Sequence, residues 1–145
     1  MKPKLLKALT TLLSINHRRS TAKTLNAQSQ FQRASQLQTQ IANYAHEYDA
    51  QYAQYAAQGT DPLNLHAQAR FSAKLRETAQ AQAPEVAFNR RQWQQAQQQL
   101  NQDTKRLDVM EDYAKRQAQA HATKTEREEQ LRAEEAVQIR WAAKK

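Results

Sequence analysis

Gln58-Gly59-Thr60-Asp61-Pro62 is the one strong reversal signal in the chain. Gly59, the sole glycine, suits the left-handed position after a helix end because it has no Cβ to oppose a positive φ. Asp61 can accept backbone N–H bonds as an N-cap. Pro62 has a fixed φ that is already helical and lacks an N–H that would be unpaired there anyway, so it fits the first helical position. The chain therefore ends one helix, reverses once and begins another.

Upstream, no helix breaker occurs between Pro3 and Gln58. Gln, Ala, Lys, Arg and Glu dominate, and such side chains lose little freedom in a helix. From Ala34, an apolar or aromatic residue recurs in steps of three and four: Ala34, Leu37, Ile41, Tyr44, Tyr48, Tyr52 and Tyr55. This is a stripe of coiled-coil type. Before it, Leu5, Leu9, Leu12, Ile15, Ala22 and Leu25 keep the same face only by tolerating Gln, Asn and Ser at core positions. Fraying, or a helix dependent on a partner, is expected there.

Downstream, apolar positions run through Leu65, Phe71, Leu75, Val86, Trp93, Ala96, Leu100, Leu107, Met110, Ala114, Leu131 and Val137. Pro84 lacks an N–H and clashes with the preceding turn, so a kink or short break is expected near Gln82 to Glu85. The predicted organisation is a single coiled-coil domain, 1–145, with helix one over about 4–58, the turn at about 59–61 and helix two over about 62–143.

Folding back at Gly59 sets opposite each other residues whose numbers add to about 119 to 121. Tyr48 then faces Phe71, Tyr44 faces Leu75 and Leu12 faces Asp108. Beyond about Gln119 no intramolecular partner remains. At the helical rise, a paired rod on the order of 80 Å with an overhang of roughly 35 Å follows. The expected fold class is all-α: a long antiparallel two-helix coiled coil, or helical hairpin, with an overhanging C-terminal helix. The overhang holds Glu126, Arg127, Glu128, Glu129, Arg132, Glu134 and Glu135. Two readings fit that pattern, a solvated face supported by charges one turn apart and a docking surface.

Composition agrees with a thin fold. Over 145 residues the mean hydropathy is −1.01, and much of the 39% apolar fraction is Ala, too little for a thick core. With no Cys, neither a disulfide nor a thiolate metal site can form, and a reducing cytoplasm fits. The Leu-rich start is interrupted by Lys7 and no small-x-small cleavage site follows, which argues against a signal peptide. Nothing reaches the apolar length of a transmembrane helix, so any membrane contact is expected to be peripheral.

The net charge of +8 is uneven. Residues 1–46 carry Lys2, Lys4, Lys7, Arg18, Arg19, Lys23 and Arg33 and no acidic side chain. A partner with negative surface is implied, whether protein, anionic lipid or nucleic acid. Seven charges over that length make no dense basic region, and no stacking aromatic interleaves with them before Phe31, so nucleic acid is the weaker of these readings.

Catalytic chemistry finds no support. His17, His46, His66 and His121 lack metal-ligand spacing. One glycine cannot build a phosphate loop or a nucleophile elbow, and two helices offer no concave pocket. The chain is expected to be non-enzymatic, with no metal and no cofactor. Tyr44, Tyr48, Tyr52, Tyr55 and Phe71 are more informative, because two helices cannot enclose all these rings. Each ring is either seam packing or part of a protein-binding patch.

The motif order resembles the flagellar export protein FliJ family and, more distantly, the stalk subunits of type III injectisomes. Ile41-x-x-Tyr44-x-x-Glu47-Tyr48 is similar to the family's L-x-x-Y-x-x-E-Y segment. It is followed by the Gly-containing turn, Phe71-x-x-x-Leu75, the Trp93 segment, Arg106-Leu107-Asp108-Val109-Met110-Glu111-x-Tyr113-x-x-Arg116, and the run from Glu126 to Gln130. The likeness spans nearly the whole chain.

That resemblance implies a stalk similar to the shaft of rotary ATP synthases, with the paired termini in the pore of a hexameric export ATPase. It also implies contact with the cytoplasmic linker of the export-gate membrane protein and recycling of empty export chaperones at the inner face of the cell membrane. By resemblance the gate-binding stripe is Leu37, Ile41, Tyr44, Tyr48, Phe71, Leu75, Thr78 and Gln82. Here Pro84 lies one turn past the stripe, and Thr78 and Gln82 are less apolar than its other members. The alternatives are an injectisome stalk and a basic coiled-coil protein associated with nucleic acid.

Overall fold

The computed structural model describes residues 2–144; Met1 and Lys145, the ends of the expected 1–145 span, lie outside the described residues. Three helices follow in order: α1 (Pro3–Ala57), α2 (Pro62–Ala81) and α3 (Ala83–Ala143), with no strand among the described residues. The fold is an all-α helical hairpin. One arm is α1, and the other is a bent run made of α2 and α3.

The reversal is made by the residues that signal it. Gly59 takes φ 76°. The Gly59 N–H donates to the Ala56 carbonyl at 3.4 Å and the Thr60 N–H to the Tyr55 carbonyl at 3.2 Å, pairing two carbonyls that the end of α1 would otherwise orphan. An Asp61 carboxylate oxygen accepts from the Leu63 N–H at 3.2 Å, and Pro62 opens α2.

The second arm is interrupted at Gln82. Pro84 has no N–H to offer the Gln80 carbonyl one turn back, so the ladder loses a bond there. Gln82 nonetheless keeps right-handed helical geometry (φ −76°, ψ −18°), donates to the Thr78 carbonyl at 3.1 Å and accepts from the Val86 N–H at 3.0 Å. The discontinuity is one residue long.

Helix packing divides the chain into two compact units, Arg18–Asn101 and the residues up to His17 together with those from Gln102. In the first, α1 enters the seam through Ser20, Thr24, Phe31, Ala34, Gln38, Ile41, Ala45 and Tyr48, all buried or half-buried. Opposite stand Leu65, Ser72, Leu75, Ala79, Gln82, Val86, Trp93 and Ala96. Its tightest points are small: Ser72 is 1% and Ala45 2% exposed. Little apolar area is buried by Ala and Ser, so most hydrophobic stabilisation comes from Val86 and the half-buried Ile41, Leu75, Phe31 and Trp93, at about 25 cal/mol per Å² covered. Phe31 and Trp93 stack with ring centroids 5.5 Å apart, and the Arg90 guanidinium lies 5.4 Å over the Phe31 ring.

Several polar groups find partners in this seam, while the Trp93 indole N–H and the Gln68 amide oxygen are buried without one. The Thr24 hydroxyl lies 2.7 Å from the Ser20 carbonyl and 3.1 Å from that of Ala96. The Gln38 amide donates to the Ala79 carbonyl at 3.1 Å. The Ser72 hydroxyl sits 3.4 Å from the Ala45 carbonyl and is also hydrogen-bonded to the Asp49 carboxylate. Without partners, each of these would cost about 1–3 kcal/mol on burial.

The seam corrects the expected stripe. Gln38 and Ala45 hold the positions read as belonging to Leu37 and Tyr44, which are 46% and 55% exposed. The physical reason is closeness of approach: Ala45 faces Ser72, and a tyrosine could not enter there without prising the helices apart. Tyr48 does meet Phe71, as the fold-back register requires, but Tyr44 stands outside the seam.

In the second unit, the early face also differs from expectation. Leu5, Leu12 and Ile15 are 54%, 53% and 42% exposed, while Leu6 is buried and Leu13 half-buried. Leu12 and Asp108 are both exposed and make no seam pair. Leu6 and Thr10 share an apolar groove with Ala114 and Ala118. From Ala122 to Lys144, every residue except Thr125 is exposed.

Candidate docking surface

All eight residues of the expected gate-binding stripe fall in the Arg18–Asn101 unit. The structure divides them by burial. Ile41, Tyr48, Leu75 and Gln82 are half-buried along the seam, and Leu37, Tyr44, Phe71 and Thr78 are exposed beside it. On each helix the exposed members are seven residues apart, about two turns, which keeps Leu37 with Tyr44 and Phe71 with Thr78 on one face.

A ring contact and a shared groove join the arms at either end of the set. Tyr48 and Phe71 meet edge to face, with centroids 4.8 Å apart and planes at 65°. Leu37 and Gln82 line one groove, together with Arg33 and Asn89. Phe71, at 47% exposed, is therefore held in place by Tyr48 and still open to a partner. A ring fixed by packing loses little conformational freedom on binding, which favours its use as an anchor.

Beside the rings lies a polar cluster that the sequence reading missed. Asp49 is hydrogen-bonded to Ser72 through one oxygen, and its other oxygen takes an Arg76 N–H at 3.2 Å. These three residues give no local sequence signal, because Asp49 and Arg76 become neighbours only after the reversal. The fold-back arithmetic places Asp49 against Ser72 and could have found them. The ion pair is 57% and 40% exposed at its two side chains, so it contributes less to stability than to the pairing register.

Among the described residues, no group of three or more His, Cys, Asp or Glu could hold a metal ion. No helix is long and apolar enough to cross a membrane, again among the described residues. What the surface presents is a partly open row of aromatic and aliphatic side chains beside a two-helix seam, the kind of surface that suits binding another protein.

A family model described as "Flagellar FliJ protein" matches residues 6–145, a span that includes the turn, the seam and all eight stripe residues. Neither a curated protein nor a solved structure matches the chain.

Proposed function

The chain belongs to the flagellar FliJ family, a non-catalytic component of flagellar type III protein export, and from that premise we propose that it is the stalk of the export ATPase and an escort for empty export chaperones. In this reading it acts in the cytoplasm at the inner face of the membrane, as one coiled-coil domain over 1–145. Its termini engage the hexameric ATPase, and Leu37, Ile41, Tyr44, Tyr48, Phe71, Leu75, Thr78 and Gln82 engage the cytoplasmic linker of the export gate. The flagellar family match favours this reading over an injectisome stalk or a nucleic-acid partner.

The observation that carries the gate assignment is the state of Phe71, which is packed on Tyr48 and half open to solvent. A ring required only for the hairpin would be covered, as Ser72 next to it is. The exposed tail beyond His121 supports a role for the C-terminal end in gripping the ATPase. Mixing the protein with its purified cognate ATPase should raise hydrolysis and ring formation, and no effect at saturation would defeat the stalk reading. Phe71→Ala and Tyr48→Ala should abolish gate binding while leaving helicity nearly unchanged. If both melt the hairpin instead, these rings are core residues and the gate assignment fails.

A further inference from the structure

The turn end of the hairpin contains a feature that the stripe leaves unused. On α1 the tyrosines continue past Tyr48 at helical spacing, through Tyr52 and Tyr55, both 39% exposed. Across the turn, Leu63 is 77% exposed. Every residue from Ala50 to Gly59 is exposed, so these rings have no seam to fill.

The same stretch is almost without charge. From Ala50 to His66 the only side chain charged at neutral pH is that of Asp61, and its carboxylate is occupied by the Leu63 N–H. The rest is Ala, Gln, Tyr and Leu with single Gly, Thr, Pro, Asn and His residues. Such a surface offers nothing to phosphate or to an anionic headgroup, both of which need Lys or Arg. An uncharged segment with apolar anchors can cover it with Asp61 as the one fixed charge nearby. Tyrosine among small and amide side chains is a composition that binds protein well, since the ring supplies area and a polar tip at small entropic cost.

We infer that Tyr52, Tyr55 and Leu63 extend the gate-binding surface to the turn, where an uncharged, apolar-anchored stretch of the same linker continues past Phe71. The inference rests on the gate reading above. Continuity identifies the occupant: Tyr44, Tyr48, Tyr52 and Tyr55 form one row on a single unbroken helix, and Tyr48 within it touches Phe71. Past Asp49, whose carboxylate is engaged by Ser72 and Arg76, a chain lying along that row meets no further charged side chain on α1 before the turn.

The test measures binding of the gate's cytoplasmic linker to the full-length protein by calorimetry, for the parent, Phe71→Ala, the triple variant Tyr52→Ser/Tyr55→Ser/Leu63→Ser and Leu63→Ser alone. Circular dichroism checks that each is folded, and Leu63→Ser serves if the triple variant is not. The expected results are loss of binding with Phe71→Ala, affinity about tenfold or more weaker in the triple variant, and a smaller loss with Leu63→Ser. Stimulation of the ATPase should be unchanged in all of them. Parent-like affinity in the folded turn variants, with Phe71→Ala still defective, would overturn this inference and leave the gate reading intact. No linker binding by the parent would overturn both. A concentration-dependent dimer in sedimentation that the triple variant abolishes would reassign the row to a second copy of the chain.

Discussion

Between Leu65 and Val86 the second arm of the hairpin buries Ser72, Ala79 and Val86 against α1, whereas from Ala122 to Lys144 all residues but Thr125 are exposed. The contrast runs against side-chain size. The paired stretch buries a serine, an alanine and one valine, while the exposed stretch carries Leu131, Val137, Ile139 and Trp141 at 55% to 70% exposure. Hydrophobic side chains become core only where another surface faces them, and small ones do so most readily because they let two helices approach. The tail keeps its large residues in water because no other described residue packs over them.

The largest expected effect that could break this comparison is in amide exchange. Amides near Ser72, Ala79 and Val86 should exchange at least about a hundredfold more slowly than those of residues 131–141, because only the former are held by tertiary packing. Equal protection in the isolated protein would mean that the tail is covered after all. Next in size is Ser72→Leu, which forces extra volume against Ala45 and should cost about 1–3 kcal/mol in urea unfolding. The matched insertion in the tail, Ala136→Leu, should stay within about 0.5 kcal/mol. Similar costs at the two sites would remove the distinction.

Gly59→Ala should cost about 1 kcal/mol, through backbone strain alone, since nothing lies within 4 Å of an added Cβ while φ is +76°. A neutral result would show that the turn relaxes and that pairing does not depend on it. The smallest effect is expected from Arg76→Ala, at about 0.5 kcal/mol or less, because its bond to Asp49 is largely exposed. A loss several times larger would promote the Asp49 cluster from a register contact to a principal support of the paired stretch.

Much of this architecture is legible before any coordinates. The reversal is written in Gly59, Asp61 and Pro62, whose conformational limits are local. The facing of Tyr48 and Phe71 follows by counting outward from it. Less legible was which face closes. The large residues Leu37 and Tyr44, and Leu5 and Leu12 upstream, attract any search for apolar periodicity. The helices instead close on Ala45, Ser72, Ser20 and Thr24, none of which scores as a core residue.

What the sequence determined by itself is therefore helix on either side of one turn, an interruption near Pro84, and the fold-back register next to the turn, because each depends on backbone chemistry within a few residues; the fraying expected before Ala34 is not seen, since α1 runs unbroken from Pro3. The tertiary structure alone decided the face of contact. That choice turns on how near two backbones can come and on whether buried hydroxyls find carbonyls across the gap, as Thr24 finds Ala96 and Ser72 finds Ala45. It put Tyr44 outside the seam and left Phe71 half open while packed on Tyr48, and so left aromatic surface available for a partner.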